Sequence, residues 1–182
     1  MPLDPTASTL GQCSLFGGIE LCHCEYFCTR LERVDLVPGE VVYEEGDPAH
    51  ELFVVASGRL HAFKPSQSAN VPLAELLPGE FFGDMSFIDM QPRSATVRAV
   101  EPTVLWRMSF SSLREAYLRD LKCYTLVVMN IAREMSRRLR RADYYRTLFD
   151  SEGHAMTRTQ RAGAASVIGR IGRRAMTLRS IG

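Results

Sequence analysis

From residue 37 onward the chain alternates short β-prone segments with turn sequences, and this pattern limits the possible folds most. Six segments are rich in β-branched, aromatic and other apolar residues: 41–43, 52–56, 59–63, 73–77, 96–100 and 104–108. Pro-Gly pairs at 38–39 and 78–79 mark two of the turns between them. Short strands with a turn about every 8–12 residues predict a β-sandwich or a small barrel. The Ser-Gly pair at 57–58 predicts a tight hairpin, because glycine adopts positive φ at little cost.

Helical periodicity flanks this β-prone region on both sides. Residues 15–34 place their apolar side chains on one face, which predicts an N-terminal helix. Apolar residues then recur every three or four positions from Tyr117 to Met135, and less regularly to Phe149, which predicts a long second helix. Such a stripe looks too long for a small β domain to cover. We therefore expect a homodimer through residues 117–149, with a helix packed only on its own β domain as the alternative.

Charge is distributed unevenly, although the net charge of the 182 residues is only +1. Residues 1–105 carry 6 basic and 15 acidic side chains, whereas residues 106–182 carry 16 basic and 6 acidic ones. The imbalance fits a contact between the two halves, a charged partner or a non-specific nucleic-acid contact, and it identifies none of them. Residues 150–182 are rich in glycine and arginine, which predicts a flexible basic tail.

The sequence contains no membrane or secretion signal. No apolar run reaches the roughly 18 uncharged residues of a spanning helix, and the N-terminus lacks the cationic and apolar regions of a secretory signal. We therefore expect a cytoplasmic protein without a membrane span. No Ser-His-Asp order and no pair of carboxylates suggests catalysis, so an enzyme is not expected.

The chain has five cysteines: Cys13, Cys22, Cys24, Cys28 and Cys123. The run at 22–28 also contains a histidine, so it is dense in potential metal ligands. Its spacing is not C-x-x-C, however, and on one helix the first two thiols point apart. The pattern therefore favours cysteines that fill the core, and neither a metal nor a disulfide is expected.

A glycine-rich turn followed by an arginine is the motif that most suggests chemistry. Residues 79–88 read Gly-Glu-Phe-Phe-Gly-Asp-Met-Ser-Phe-Ile, and residues 92–96 read Pro-Arg-Ser-Ala-Thr. A glycine-rich turn that enters a short helix presents backbone N–H groups and a positive dipole end. Arg93 adds a guanidinium that suits a phosphate, and Asp84 offers an acceptor for a ribose hydroxyl. Together they indicate a nucleotide site.

Over about seventy residues the sequence resembles the cyclic-nucleotide-binding domain family, which includes the sensors of Crp/Fnr-type bacterial regulators and of cyclic-AMP-dependent kinase regulatory subunits. The matching motifs are Pro38-Gly39-Glu40, Glu45-Gly46-Asp47, Leu52-Phe53-Val54-Val55, Ser57-Gly58-Arg59-Leu60, Leu77-Pro78-Gly79-Glu80-Phe81-Phe82-Gly83 and Pro92-Arg93-Ser94-Ala95-Thr96-Val97. The resemblance implies a mainly β fold: an eight-stranded jelly-roll barrel (a double-stranded β-helix) with an N-terminal helix and a long C-terminal helix. The expected organisation is an N-terminal segment and helix at 1–36, the barrel at 37–109, a hinge and dimerisation helix at 110–149, and the tail at 150–182.

The same resemblance implies a ligand site for cyclic AMP or cyclic GMP and no metal. Gly83 matches the glycine of the family's phosphate-binding cassette, Asp84 stands where a glutamate is usual, and Arg93 matches the arginine that neutralises the phosphate. The implied ligand-binding residues are Phe82, Gly83, Asp84, Met85, Ser86, Arg93, Ser94 and Ala95. An ion pair of Arg93 with Asp84 or Asp89 in a ligand-free cassette is the alternative. The base-contacting Thr-Ser pair of bacterial regulators falls on Ala-Asp at 142–143, which leaves the base open.

These expectations combine into a regulatory sensor in which ligand binding moves the C-terminal helix. Only 33 residues follow Phe149, too few for the helix-turn-helix domain of Crp/Fnr regulators, so sequence-specific DNA binding is not expected. The alternatives are a Crp/Fnr-type transcription regulator without its DNA-binding domain and a ligand-independent interaction protein.

Overall fold

Two four-stranded antiparallel sheets form the centre of the computed structural model, which describes residues 5–66 and 70–151. The strands are β1 (Glu32–Leu36), β2 (Val41–Tyr43), β3 (Glu51–Ser57), β4 (Leu60–Lys64), β5 (Val71–Leu76), β6 (Phe81–Phe82), β7 (Thr96–Ala99) and β8 (Thr103–Ser109). One sheet has the order β1-β8-β3-β6 and the other β2-β7-β4-β5. The predicted eight-stranded jelly roll is confirmed. The sheets do not close into the expected barrel, because no described strand of one is hydrogen-bonded to a strand of the other.

Six helices accompany the sheets in the described residues. They are α1 (Ala7–Gly11), a 3-10 helix (Ser14–Phe16), α2 (Leu21–Cys28), α3 (Asp84–Asp89), α4 (Phe110–Arg119) and α5 (Leu121–Ser151). None of these helices is long and apolar enough to cross a bilayer. The basic tail predicted at 150–182 lies outside the described residues from position 152 onward.

Both predicted helices differ from the observed ones in their extent. The N-terminal helix expected over 15–34 ends at Cys28, because residues from Glu32 pair with β8 as an edge strand. The apolar stripe that begins at Tyr117 crosses a break between α4 and α5. Asp120 is extended there, and its Oδ1 accepts a hydrogen bond from the backbone N–H of Cys123 at 3.1 Å. An aspartate in this position caps the new helix, so the chain turns instead of continuing.

β3 is buried on both faces and separates the two apolar cores. Leu52 and Val54 pack with the helices on the outer face of their sheet, whereas Phe53 and Val55 pack against the other sheet. A strand covered on both sides needs apolar residues at every position, which explains the continuous apolar run 52–56.

The Ser-Gly turn at 57–58 does not form the predicted hairpin. It connects β3 to β4, which belong to different sheets. Gly58 has φ of +84°, and a Cβ on it would lie 2.4 Å from Oγ1 of Thr103. Glycine is therefore required both by the left-handed backbone and by the close approach of the chain that enters β8.

α5 is fixed against the N-terminal segment by a buried polar contact. Nδ2 of Asn130 donates to the carbonyl oxygens of Leu15 and Gly17, each at 2.9 Å. Val127 and Ile131 are fully buried on the same side of the helix. These contacts set the position of α5, and two turns further along the helix Arg138 reaches the end of β6 and the start of α3.

Candidate functional site

The site begins at the left-handed glycine between β6 and α3. Gly83 has φ of +80°, and a Cβ on it would lie 2.6 Å from Nη1 of Arg93 and 3.2 Å from the carbonyl oxygen of Glu51. Any larger residue would push the guanidinium away from this turn. Asp84 follows as the first residue of α3 and is only 1% exposed. The positive end of a helix favours a carboxylate in that position.

Arg93 is held by its backbone as well as by its side chain. Its N–H donates to the carbonyl of Asp47, and its carbonyl accepts from the N–H of Gly46, both at 2.9 Å. The Glu-Gly-Asp turn at 45–47 therefore acts as the backbone support of this arginine. This motif, identified in the sequence only through a family resemblance, thus has a structural role.

The guanidinium of Arg93 is buried, with the residue 3% exposed. Nη2 donates to Oε2 of Glu51 at 3.2 Å, and Nη1 donates weakly to the carbonyl of Gly83 at 3.4 Å. The group lies 4.2 Å from the ring centroid of Tyr43, as a cation over an aromatic face. Nε is buried and has no hydrogen-bond partner among the described residues. A buried N–H donor without an acceptor is costly, so this atom is available for an anion.

Burial also shifts the pKa values of Arg93 and Tyr43. It lowers the pKa of the Arg93 guanidinium, and the neighbouring Tyr43 and Glu51 oppose that shift. Burial raises the pKa of Tyr43 to about 12, so the phenol stays neutral at physiological pH. Arginine stays protonated at physiological pH, so Arg93 keeps its positive charge in a buried setting, where an anion is attracted more strongly than at the surface.

Asp84 pairs with an arginine from α5. Nη1 of Arg138 donates to Oδ1 and Oδ2 of Asp84 at 2.9 and 3.1 Å. Nη2 of Arg138 donates to the carbonyl of Phe81 at 2.6 Å, which ties the helix to β6 as well. Arg93 instead pairs with Glu51, so the predicted alternative in which Arg93 pairs with Asp84 or Asp89 is wrong. The physical reason is that Asp84 is already paired with Arg138.

The structure brings only part of the predicted ligand set together. Gly83 and Arg93 are in contact, and Asp84 lies directly beside them at the start of α3. Met85 and Ser94 are exposed and touch each other, with Ser94 Oγ 3.6 Å from the Met85 sulfur. The side chains of the remaining three residues are buried: Phe82, Ser86 and Ala95.

Arg93 also lines a cavity of about 410 Å³. Its walls come mainly from β1 and β2, the edge strands of the two sheets, and include Tyr43 and Phe53. Three carboxylates also line it: Glu40, Asp47 and Glu51. Arg107 lines the cavity as well as Arg93, so side chains of both charges surround it.

Three residues of the site were missed by sequence reasoning. Tyr43 on β2 and Glu51 on β3 both contact the guanidinium of Arg93. Arg138 binds Asp84 from a position 54 residues further along the chain. Arg138 does not belong to the apolar stripe of α5, which indicates that it lies outside the apolar face of that helix. Several other arginines of the helix share this property. Spacing alone therefore does not single it out.

Comparison with known proteins finds the same type of domain. Residues 33–120 match the family model of the cyclic nucleotide-binding domain. The cyclic AMP receptor protein of Thermus thermophilus is 38% identical over 130 residues, which cover 71% of this chain and 58% of that protein. The acetyltransferase Pat of Mycolicibacterium smegmatis is 29% identical over 100 residues, 55% of this chain and 30% of that protein. The chain thus spans less than two thirds of either relative.

A solved structure supports the same assignment. The crystal structure of the Thermus thermophilus catabolite activator protein is similar with a TM-score of 0.66 and 25% sequence identity. The similarity covers 92% of this chain and 88% of that one, so it includes the flanking helices as well as the two sheets.

Proposed function

Residues 33–120 belong to the cyclic nucleotide-binding domain family, and on that premise we propose that the chain is a regulatory sensor whose cassette binds a cyclic nucleotide. The observation that carries the proposal is the convergence of the buried Arg93 guanidinium on the left-handed Gly83, with Nε unpartnered. A guanidinium in a partly apolar site is the group that binds a phosphate most strongly. Asp84 supplies the acceptor for a ribose hydroxyl. The relative named cyclic AMP receptor protein favours cyclic AMP over cyclic GMP.

A phosphate would take the place of Glu51 on Arg93 in this proposal. The side chain of Glu51 is 33% exposed, so the carboxylate returns to water when the anion arrives. The Arg93 side chain is 2% exposed, and its guanidinium keeps an anionic partner throughout the exchange, so no buried charge is left unpaired. The exchange therefore costs little compared with the charge-assisted bonds that the phosphate gains. The five cysteines of the chain are all free, and we propose that the sensor acts in the cytoplasm, where they would remain reduced.

Calorimetric titration of the full chain with cyclic AMP and cyclic GMP tests the site. Arg93→Ala is expected to raise the dissociation constant about 10- to 100-fold, since a hydrogen bond to a charged group contributes about 1.5–3 kcal/mol. Arg98→Ala is the matched control, because Arg98 is an exposed arginine on β7, five residues after Arg93. Equal affinity of the wild type and Arg93→Ala would contradict the proposal, as would the absence of binding by the wild type.

Ligand binding is proposed to act on α5 through the Asp84–Arg138 ion pair. A ribose hydroxyl at Asp84 would compete with the guanidinium and change the contact that holds α5 against β6. Hydrogen exchange along α5, with and without nucleotide, measures this coupling. Arg138→Gln should abolish the ligand-dependent change in exchange. Arg140→Gln should retain it, because Arg140 is an exposed arginine of the same helix.

The helices are also proposed to form the interface of a homodimer within residues 117–149. Several large apolar side chains on α4 and α5 are exposed in the single chain: Leu118, Leu121, Met129 and Leu139. A second copy of the same helices would cover them. Leu121 and Leu139 belong to the apolar stripe that predicts this interface, whereas Ile131 of the same stripe is buried in its own domain. In this proposal the β domain at 37–109 senses the ligand and the segment at 110–149 transmits the response.

A ligand-independent interaction protein is the second candidate function. The observation that favours it is that both charged residues of the cassette already have protein partners, Glu51 for Arg93 and Arg138 for Asp84. Such a protein would show no heat on titration and no change of melting temperature with either nucleotide. The calorimetric experiment above therefore separates the two candidates.

A further inference from the structure

Three side chains of types that bind metal ions meet at the N-terminal end of α2, far from the cassette in sequence. Ligand atoms of Glu20, Cys22 and His23 lie within 4.8 Å of one another. Asp120, at the junction of α4 and α5, places its Oδ2 2.7 Å from Nε2 of His23. We propose that Glu20, Cys22 and His23 bind a divalent cation of the zinc type, and that Asp120 orients the imidazole.

The mixture of donors indicates the class of cation. A thiolate, an imidazole and a carboxylate suit Zn²⁺, whereas Mg²⁺ and Ca²⁺ prefer oxygen ligands alone. Cuprous ions and iron–sulfur clusters take sets richer in sulfur than this single thiol. Three protein ligands leave a fourth tetrahedral position for water. The site would therefore hold the cation on the surface with one position open.

The contact with Asp120 prepares His23 for this role. A carboxylate on Nε2 fixes the tautomer with the proton on that nitrogen, so the lone pair lies on Nδ1. Histidines that bind metals commonly donate their second N–H to a carboxylate in this way, which also makes the ring a stronger ligand. The Oδ1 atom of Asp120 is fixed in turn by the N–H of Cys123.

Accessibility distinguishes Cys22 from the other cysteines. Cys13, Cys24 and Cys123 are buried and Cys28 is half-buried, whereas Cys22 is exposed. The sequence prediction that the cysteines fill the core thus holds for the three buried thiols and fails for Cys22. The spacing argument considered only thiols. It did not consider Glu20, which lies just before the run at 22–28, although the histidine of that run was noted as a potential ligand.

One basic residue competes with the cation. Nζ of Lys122 lies 3.3 Å from Oε1 of Glu20, and its side chain is 73% exposed, so it can move into solvent when a metal binds. Its charge nevertheless opposes a second cation beside Glu20. Removing Lys122 is therefore expected to strengthen metal binding, a result that a merely structural role for Glu20 would not produce.

A bound cation would act on the start of α2, which already contacts a distant part of the chain. Glu20, Cys22 and His23 belong to the start of α2, and Asp120 belongs to the junction from which α5 begins. Occupancy would fix the start of α2, which the His23–Asp120 contact joins to that junction, and would raise the melting temperature of the chain. This inference is independent of the proposed nucleotide site.

Cobalt(II) titration of the untagged full chain tests the site, because a thiolate bound to Co²⁺ gives a charge-transfer band in the near ultraviolet. The wild type should show a saturable band that added Zn²⁺ removes, and Cys22→Ser should lose it. Cys28→Ser, in the same helix, is the matched control and should keep the band. His23→Ala should weaken binding and Lys122→Ala should tighten it. A wild type without the band, or a band that survives in Cys22→Ser, would overturn the proposal; circular dichroism verifies that each variant is folded.

Discussion

In the Asp84–Arg138 ion pair, removal of Arg138 is predicted to lower the free energy of unfolding more than removal of Asp84. Asp84 is 1% exposed, whereas the side chain of Arg138 is 35% exposed. Arg138→Ala leaves a buried carboxylate without the bonds at 2.9 and 3.1 Å. Breaking a buried pair in this way costs about 3 kcal/mol, near the lower end of the usual range because the start of α3 still stabilises the charge. Asp84→Ala leaves an arginine that can turn into solvent, so we expect a loss of about 1 kcal/mol.

Urea unfolding followed by tryptophan fluorescence measures these free energies, because Trp106 is the only tryptophan and is fully buried. The double variant Asp84→Ala with Arg138→Ala removes the unpaired charge. It should be more stable than Arg138→Ala alone by about 2 kcal/mol. The reasoning is refuted if Asp84→Ala costs as much as Arg138→Ala, or if the double variant loses the sum of the two single losses.

Three further predictions concern the turn, the thiols and the helix surface. Gly58→Ala should lower the free energy of unfolding by at least about 2 kcal/mol, because the residue has positive φ and its Cβ would meet a threonine hydroxyl at 2.4 Å; an unchanged urea midpoint contradicts this. Cys22 should react rapidly with Ellman's reagent in the folded chain, while Cys123, buried and with its pKa raised by burial to about 11, reacts only on unfolding. Leu139→Glu should reduce the molar mass seen by light scattering to that of a monomer, and Leu73→Glu on β5 should leave it unchanged; equal effects would exclude the proposed interface.

Local sequence patterns predicted most of the strands, because a strand with one or two buried faces has apolar residues at regular positions. β3 and β8 are buried along most of their length, and their apolar runs were identified within one residue at either end. β1 was missed because its first four residues, Glu-Arg-Val-Asp, are mostly charged and largely exposed. β6 was missed because it has only two residues. What makes them strands is pairing with β8 and β3, which a local pattern does not contain.

The same distinction applies to the site. Gly83 and Arg93 contact each other and are only ten positions apart, so a single sequence motif contains both. The partners that neutralise the two charges come from positions 42 and 54 residues away, on β3 and α5. Their identity follows from the packing of α5 through Asn130 and from the register of β3 against β6. Neither is visible before the fold is known.

The two charges of the cassette are compensated by different parts of the domain, and this determines how a ligand acts on α5. Glu51 belongs to the sheet, so a phosphate that replaces it on Arg93 moves no helix. Arg138 belongs to α5, so only a group that competes for Asp84 changes the helix contact. On the proposed function, the phosphate provides affinity and the ribose hydroxyl provides coupling. The 2′-deoxy analogue of cyclic AMP should therefore bind and yet leave hydrogen exchange along α5 unchanged; the same change with both nucleotides would show that Asp84 does not connect the ligand to the helix.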